Sequence, residues 1–227
     1  MKTAVINIAT GRHQRGQARL VESLGKVGYT GDILAFNNEA EVGAPKHKDC
    51  NYGFKPFAFD YCRKLGYDLV IWVDAAVWAI KPIDHLFEQI EKEEYLLFRN
   101  GWTSGDWSSD ACLDVMAIDR EESFKYPHLM ACVMGFNLKN ERCNQFLDEW
   151  LRLAKERTAF NGAWSNENKQ VSQDDRVLGH RHDQTVASYL TWNMGMTNWL
   201  IPHETHLLYY QNGIEVPEHL TLLTQGM

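Results

Sequence analysis

Two carboxylates stand where a folded chain presents side chains to a ligand. Asp74 ends the apolar run Leu69–Val73, and Asp183 precedes Gln184 at the head of a helical pattern. An ionised carboxylate at the end of a buried strand is costly unless a cation or a hydrogen-bond donor meets it. In open α/β sheets, ligands bind beyond the carboxyl ends of the strands, so a metal, a metal-bound phosphate or a sugar hydroxyl fits Asp74. The simpler interpretation, that Asp74 caps a turn and Asp183 caps a helix, stays open from these residues alone.

Small and basic residues accompany these carboxylates. Thr10, Gly11 and Arg12 end the first apolar segment, and Lys55 opens a helix whose first turn contains Pro56. Small residues let a ligand approach the backbone, and arginine and lysine neutralise phosphate oxygens. We therefore expect Thr10, Gly11, Arg12 and Lys55 to meet a phosphorylated ligand. The alternative is an exposed basic turn and a solvated lysine.

The surrounding hydrophobic pattern predicts elements that would position these side chains. A strand over 3–9, a helix over 14–26 and a strand over 31–36 form a β-α-β opening, which is typical of a parallel, nucleotide-binding sheet. The run 69–73 is short and apolar, with three β-branched residues and Trp72, and it indicates a strand buried on both faces. A second buried strand is predicted over 131–138, followed by a helix to Arg157. At 227 residues, one α/β domain is expected.

Several of these segments together resemble one family. They are Phe54-Lys55-Pro56, Gly66-Tyr67-Asp68 with the strand that follows, Asp74, the run Trp78-Ala79-Ile80-Lys81-Pro82-Ile83, the strand 131–138, and Asp183-Gln184. The chain, over roughly its first 200 positions, is similar to the nucleotide-sugar glycosyltransferases of GT-A fold. The resemblance implies a single Rossmann-like domain over 1–227, with a mixed, mostly parallel sheet flanked by helices. It also implies a nucleotide-binding half over 1–100 and an acceptor or sugar half over 101–227.

The resemblance assigns roles to residues. It implies that Asp183 and Gln184 are catalytic, acting with retention at the sugar, and that the donor nucleotide meets Thr10, Gly11, Arg12, Lys55, Asp74 and Ala76. Gly135 and His182 are expected at the sugar pocket. The loop 100–110 carries Trp102, Asp106, Trp107 and Asp110, which we interpret as acceptor or sugar contacts. Asp106 and Asp110 are also candidates for a base if the reaction inverts. A purely structural loop is the alternative.

The metal motif departs from the family. Its Asp-x-Asp stands here as Asp74-Ala75-Ala76, so the second carboxylate is absent. The resemblance then implies Mn²⁺ or Mg²⁺ held weakly by Asp74, a late histidine (His203 or His206) and the nucleotide itself, a mixed shell that Mn²⁺ accepts. Replacement of the metal by cationic side chains is the alternative.

Composition limits the partners. The formal net charge of −7 argues against a broad nucleic-acid footprint, which requires a basic face. Five cysteines without Cys-x-x-Cys spacing predict free thiols in a reducing compartment, and no apolar run is long enough to span a bilayer, so we expect a cytoplasmic protein. The acceptor stays open among a protein, a glycan, a small molecule and a modified nucleic acid.

Two other functions compete with sugar transfer. His180, His182 and Asp183 could hold the zinc of a hydrolase, although no His-Glu-x-x-His or cysteine pair accompanies them. Alternatively, the chain binds nucleotide sugars without catalysis, because Ala76 has replaced a metal ligand.

Overall fold

The computed structural model describes residues 1–197, 200–211 and 214–225. Its strands are β1 (Thr3–Ile8), β2 (Asp32–Phe36), β3 (Leu69–Val73), β4 (Val77–Ala79), β5 (Tyr95–Thr103), β6 (Pro127–Asn137), β7 (Leu200–Pro202), β8 (Leu207–Tyr209) and β9 (Leu222–Thr224). Its α-helices are α1 (Gln14–Lys26), α2 (Phe54–Lys64), α3 (Asp84–Glu93), α4 (Asp110–Met116), α5 (Arg120–Ser123), α6 (Glu141–Glu156) and α7 (His182–Asn193).

The larger sheet is mixed and mostly parallel. Its described strands lie in the order β2-β1-β3-β6-β5-β7. Strand β1 is parallel to β2 and β3, and β5 is parallel to β7, whereas β6 runs antiparallel to both of its neighbours. Helices cover the sheet, so the predicted α/β class with a mostly parallel sheet is confirmed.

Strand β3 lies at the centre of the fold because both of its faces are covered. All five of its residues are buried. Val70 and Trp72 face the core that contains residues of α2, α6 and α7, whereas Leu69, Ile71 and Val73 face the core of α1 and α3. The two-residue period of a strand thus supplies apolar side chains to both layers, and the chain emerges from between them at Asp74.

The region after Asp74 is covered by the end of the described chain. A smaller sheet has the order β4-β9-β8, in which β9 pairs antiparallel with β4. The backbone N–H of Gln225 also donates to the Ala76 carbonyl over 3.2 Å. This contact was not predicted, because short apolar segments at 77–79 and 222–224 give no local sign that they pair.

Gly135 has a packing role that corrects its predicted place at the sugar pocket. Its position on β6 lies opposite Ile71 and Leu96. A Cβ atom added there would come within 2.3 Å of Ile90 Cδ1. The missing side chain therefore makes room for α3 on the far face of the sheet and not for a ligand.

Candidate functional site

Two adjoining cavities open at the carboxyl end of β3. The strand-end cavity, of about 500 Å³, is lined by residues 8–76, among them Ile8, Ala9, Thr10, Arg12, His13, Glu39, His47, Phe54, Trp72 and Ala75. The aromatic cavity, of about 400 Å³, is lined by Lys55, Asn100, Trp102, Trp107, His128, Met130, Ala131, Cys132, Trp164, Arg181, Asp183, Gln184, Tyr209, Thr224 and Gln225. Tyr52, Asp74 and Ala76 line both. One elongated ligand can therefore occupy both cavities and pass Asp74.

Asp74 is held in place at the junction of the cavities. Its backbone N–H donates to the Cys132 carbonyl over 2.8 Å, which continues the pairing of β3 with β6. Its Oδ1 accepts from the indole Nε1 of Trp72 over 2.6 Å and lies 3.2 Å from Lys55 Nζ. The side chain is 30% exposed. The carboxylate is thus oriented by the strand below it and still reaches the ligand space.

Lys55 joins the two carboxylates predicted from the sequence. Its Nζ donates to the Ala131 carbonyl over 2.8 Å and lies 2.8 Å from Asp183 Oδ2, a close ionic contact whose angle is poor for a hydrogen bond. The side chain is only 2% exposed. Burial alone would lower the pKa of Lys55, but the charges of Asp183 and Asp74 outweigh it and raise that pKa. Lys55, Asp74 and Asp183 form one ionic cluster.

Asp183 and Gln184 lie in the first turn of α7, on the wall of the aromatic cavity. Burial raises the pKa of Asp183, and the nearby ammonium of Lys55 partly offsets that rise. The Gln184 side-chain amide donates to Nδ1 of His128 over 3.1 Å. Asn100 Nδ2 lies 3.2 Å from the same nitrogen. Since amide N–H groups donate, Gln184 is held by its nitrogen, and its Oε1 is available to a ligand.

His128 is buried on β6, and its Nε2 has no hydrogen-bond partner among the described residues. Two amides donate to Nδ1, so the neutral ring carries its proton on Nε2. Burial lowers the pKa of His128 to about 3, which keeps the ring neutral. A buried donor without a partner is costly, and His128 is one of the residues that line the aromatic cavity.

Indole rings form much of the wall of the aromatic cavity. Trp102 and Trp107 meet edge to face with centroids 5.7 Å apart, and Trp102 is 50% exposed. The guanidinium of Arg181 lies 3.6 Å from the Trp107 ring centroid and 4.5 Å from that of Trp164. Flat aromatic faces next to polar groups suit the faces of sugar rings. The predicted contacts Trp102 and Trp107 both lie on the wall of this cavity.

The strand-end cavity is lined by two of the predicted donor contacts at the end of β1, Thr10 and Arg12, but not by Gly11. Gly11 starts a short 3₁₀ turn with a φ of +53°, a left-handed conformation that glycine adopts without strain. That turn places Thr10 and Arg12 on the cavity wall. Arg19 Nη2, on α1, donates to the carbonyl of Ala76, another residue of the cavity wall, over 2.9 Å. This contact holds the segment after β3 against α1.

Comparison with known proteins identifies the architecture. A scan against protein-family models gives no match, and neither does a search of curated proteins. Among solved structures, a glycosyltransferase involved in the glycosylation of the major capsid of PBCV-1 matches 99% of this chain and 93% of its own, at 12% identity and a TM-score of 0.56. The bifunctional glycosyltransferase WbbM matches 98% of this chain and 45% of its own, at 10% identity and a TM-score of 0.58. The fold is the GT-A fold.

The GT-A fold was predicted from the sequence, but some site residues lie outside its cavities. Asp106 Oδ2 accepts from the backbone and hydroxyl of Thr103 over 2.8 and 2.7 Å, so it caps a turn. Asp110 starts α4 and pairs with Arg120. Both carboxylates are satisfied by their own loop, and the structure therefore gives them a local role in place of acceptor contact or base.

His182 lies behind the aromatic cavity. Its ring stacks on Tyr52 with centroids 5.8 Å apart and meets Trp164 edge to face at 5.0 Å. Its Nδ1 lies 2.9 Å from the Phe160 carbonyl, and its φ of +49° is unusual for a residue other than glycine. This side chain supports two cavity residues and does not itself line the cavity.

The residues that a GT-A metal site would require do not fit a metal here. His203 lies against the Arg99 carbonyl and Glu204, and His206 packs against His85 and Phe98. Neither lines either cavity with Asp74. Across the described ranges 1–197, 200–211 and 214–225, no three His, Cys, Asp or Glu side chains are grouped to hold a metal ion. Neither cavity therefore brings Asp74 together with a late histidine, as the predicted shell of Asp74, His203 or His206 and the nucleotide would require.

The same test disfavours a zinc hydrolase built on His180, His182 and Asp183. His180 Nδ1 accepts from the backbone N–H of Ser109 over 3.3 Å, and its Nε2 lies 3.1 Å from the Ala159 carbonyl. Both ring nitrogens are thus used by the backbone. Asp183 is turned toward Lys55. The histidines anchor loops to the head of α7.

Sequence reasoning missed several residues that line the aromatic cavity. They include Asn100, His128, Trp164, Arg181, Tyr209 and Gln225. Trp164 lies in a polar stretch of the sequence, where an isolated tryptophan is a usable signal. The sequence gives no such signal for His128 or Arg181, because their roles depend on contacts between β6 and α7.

No described helix is both long and apolar enough to cross a bilayer.

Proposed function

We propose that this protein is a glycosyltransferase, a single domain that moves a sugar from a nucleotide-diphosphate donor to a hydroxyl of an acceptor. One observation carries the proposal: two adjoining cavities share Asp74, Ala76 and Tyr52, and the ionic cluster of Lys55, Asp74 and Asp183 reaches their junction through Asp74. A nucleotide sugar has two bulky ends joined by a diphosphate. The two cavities match the ends, and the junction matches the diphosphate.

In this proposal the nucleoside occupies the strand-end cavity. Its wall contains the rings of Phe54, Trp72 and His47, which suit the faces of a base, and the carboxylate of Glu39, which accepts hydrogen bonds from a base or ribose. Thr10 and Arg12 approach the ribose and the phosphates from the end of β1. This places the transferred sugar in the aromatic cavity, beyond Asp74.

Asp183 and Gln184 act at the sugar. Departure of the nucleotide diphosphate leaves positive charge on the anomeric carbon, and a fixed carboxylate beside that carbon stabilises it. Asp183 supplies the carboxylate, and Lys55 holds it in place. Gln184, held by His128, presents its carbonyl oxygen to a sugar hydroxyl. We propose retention of configuration, with both residues on the same wall of the sugar.

The acceptor enters past the exposed indoles of Trp102 and Trp164, which are 50% and 51% exposed. Half-exposed rings at a cavity mouth bind flat-faced groups by covering apolar surface. This supports an acceptor with a ring at the reacting end, such as a glycan or a glycosylated small molecule. The acidic net charge of −7 disfavours an acceptor nucleic acid that is bound through its phosphates.

The test separates binding from transfer. Thermal-shift and calorimetric titrations with UDP, GDP, ADP and their sugars should find at least one stabilising nucleotide, and the matching nucleotide sugar should be hydrolysed or transferred. Asp183→Asn should lower the rate by about a hundredfold or more while nucleotide binding remains. Asp148→Asn, at an exposed position on α6, is the matched control and should behave as wild type.

Two outcomes would count against the proposal. If no nucleotide stabilises the protein, the interpretation of the strand-end cavity fails. If a nucleotide sugar binds but neither hydrolysis nor transfer rises above background with any acceptor, the chain is a binding protein without catalysis.

A further inference from the structure

The charge at the junction poses a question for any bound diphosphate. Two carboxylates and one ammonium meet there, and the ammonium of Lys55 already contacts Asp74, Asp183 and the Ala131 carbonyl. Since one ammonium faces two carboxylates, the positive charge of Lys55 is already balanced by the protein. A diphosphate that arrives between the cavities therefore needs positive charge from another source.

A divalent cation is poorly provided for. Ala76 stands where a second carboxylate would be required, and the described residues contain no group of three side chains suited to a metal. The Oδ1 atom of Asp74 is already used by Trp72 and Lys55. At the junction, only part of the Asp74 carboxylate is thus left to hold a cation on a diphosphate.

Arg181 can supply the positive charge that a diphosphate requires, because its own charge is not compensated by a described carboxylate. Within the part of the chain that the structure describes, no carboxylate lies within 4.0 Å of its guanidinium, in contrast to Arg63, Arg120 and Arg176. Its hydrogen bond in the described structure runs from Nη1 to the Trp164 carbonyl, over 2.7 Å. Burial lowers the pKa of Arg181 to about 10, which still leaves it charged at neutral pH. A half-buried cation without an anion is costly, and a bound anion removes that cost.

The location of Arg181 suits a diphosphate. It lines the aromatic cavity together with Tyr52, Asp74 and Ala76, the three residues shared with the strand-end cavity. The rings of Trp107 and Trp164 hold the guanidinium from two sides. A guanidinium fixed in this way presents a planar set of donors, which matches two phosphate oxygens better than a mobile ammonium does.

We propose that Arg181 binds the diphosphate of the donor and neutralises its charge, so that this protein binds nucleotide diphosphates without a divalent cation. The inference rests on the proposed function, since it concerns the same site. Arg12, on the wall of the strand-end cavity, approaches the phosphate nearer the nucleoside. Arg181 meets the phosphate next to the sugar, where negative charge grows as the glycosidic bond breaks.

The experiment compares nucleoside diphosphates with monophosphates by calorimetry, in EDTA and in Mn²⁺. The wild-type chain should bind the preferred diphosphate equally well in both conditions and more tightly than its monophosphate. Arg181→Gln should weaken diphosphate binding in EDTA by about tenfold or more and leave the monophosphate nearly unchanged. Loss of packing alone would weaken both nucleotides alike. Arg152→Gln, on the exposed face of α6, is the matched control.

A second variant tests the missing carboxylate directly. Ala76→Asp rebuilds the Asp-x-Asp spacing, so it should make diphosphate binding tighter in Mn²⁺ than in EDTA, and Mn²⁺ bound to this variant should be visible by electron paramagnetic resonance. Wild-type binding that requires Mn²⁺, or an Arg181→Gln protein that keeps the preference for diphosphate, would overturn the inference and leave the proposed function intact. Failure of every nucleotide in both conditions would overturn both.

Discussion

The two cavities differ in how the chain builds them. The strand-end cavity is lined by residues 8–76, and most of these lie at the ends of β1 and β3 or at the start of α2. The aromatic cavity takes its residues from segments between 52 and 225, including β5, β6, the head of α7 and the strand β9. The first follows from parallel β-α-β topology, which collects strand ends at one edge. The second depends on packing between segments that lie far apart in the sequence.

The ionic cluster of Lys55, Asp74 and Asp183 connects the two cavities. Asp74 belongs to β3 and lines both cavities, whereas Asp183 belongs to α7 and lines the aromatic cavity alone. Lys55 reaches both from the first turn of α2. A substitution at Lys55 should therefore disturb both cavities, whereas substitutions farther out should disturb only one.

The largest effect is expected for Lys55→Met. It leaves Asp183 buried without its cation, and breaking a buried ion pair from one side costs about 3–5 kcal/mol. Urea unfolding at pH 7 should report a loss of that order, and nucleotide binding should weaken with it. Because Asp183 can be protonated more easily when buried, the loss should be smaller at pH 5 than at pH 7.

Lys64→Met provides the control, because Lys64 lies on the same helix and pairs with Asp60 at the surface. Its stability should stay within about 1 kcal/mol of wild type. If Lys55→Met were as stable as Lys64→Met at pH 7, the prediction that the ionic cluster stabilises the region between the two cavities would be contradicted.

The next effect concerns acid, and it belongs to the aromatic side. Burial lowers the pKa of His128 and His180 to about 3 and that of His182 to about 4. Below pH 6.5 the unfolded chain gains protons that the folded chain cannot accept, so the free energy of unfolding should fall as pH falls toward 4. The slope approaches roughly 1.4 kcal/mol per pH unit for each histidine. Asp183 has the opposite effect, because its pKa is raised in the folded chain. The folded chain binds one more proton there as pH falls, which offsets the slope by about one histidine.

Denaturant unfolding at pH 7, 6 and 5 measures that slope. His182→Gln should reduce it by one proton. Hydrogen exchange at pH 5 should increase around the head of α7 before it increases at β1. A free energy of unfolding that is constant from pH 7 to 5 would contradict the prediction.

Sequence reasoning succeeded where local pattern and structure coincide. The bounds of α1 and β3 agree with the predicted 14–26 and 69–73. The apolar residues of α1 repeat with a helical period, and those of β3 form a short continuous run typical of a strand buried on both faces. The resemblance also named Lys55, Asp74 and Asp183, which the structure brings into one cluster. These residues lie at element ends, where the chain gives clear signals.

Sequence reasoning failed where a residue type has several uses. Asp106 and Asp110 satisfy their own loops, and Gly135 makes room for Ile90. Such roles differ from ligand contact only in the partner, which the linear sequence does not reveal. The same reason explains the absence of Arg181 from the predicted site. Its importance arises because no carboxylate of the described chain pairs with it, a property that only the folded structure has.

The smallest effect should separate the cavities most cleanly. Trp102 lines the aromatic cavity and is 50% exposed, so a bound acceptor can cover part of the solvent-exposed ring. Covering part of an indole is worth about 1 kcal/mol, and Trp102→Ala should therefore raise the acceptor KM by roughly five- to tenfold. Nucleotide affinity and kcat at saturating acceptor should stay near wild type. Trp192→Ala is the control, since Trp192 is 41% exposed and stacks on Tyr126 away from both cavities. A change in nucleotide affinity with constant acceptor KM would mean that the aromatic cavity receives the nucleoside, and the assignment of the two cavities would have to be reversed.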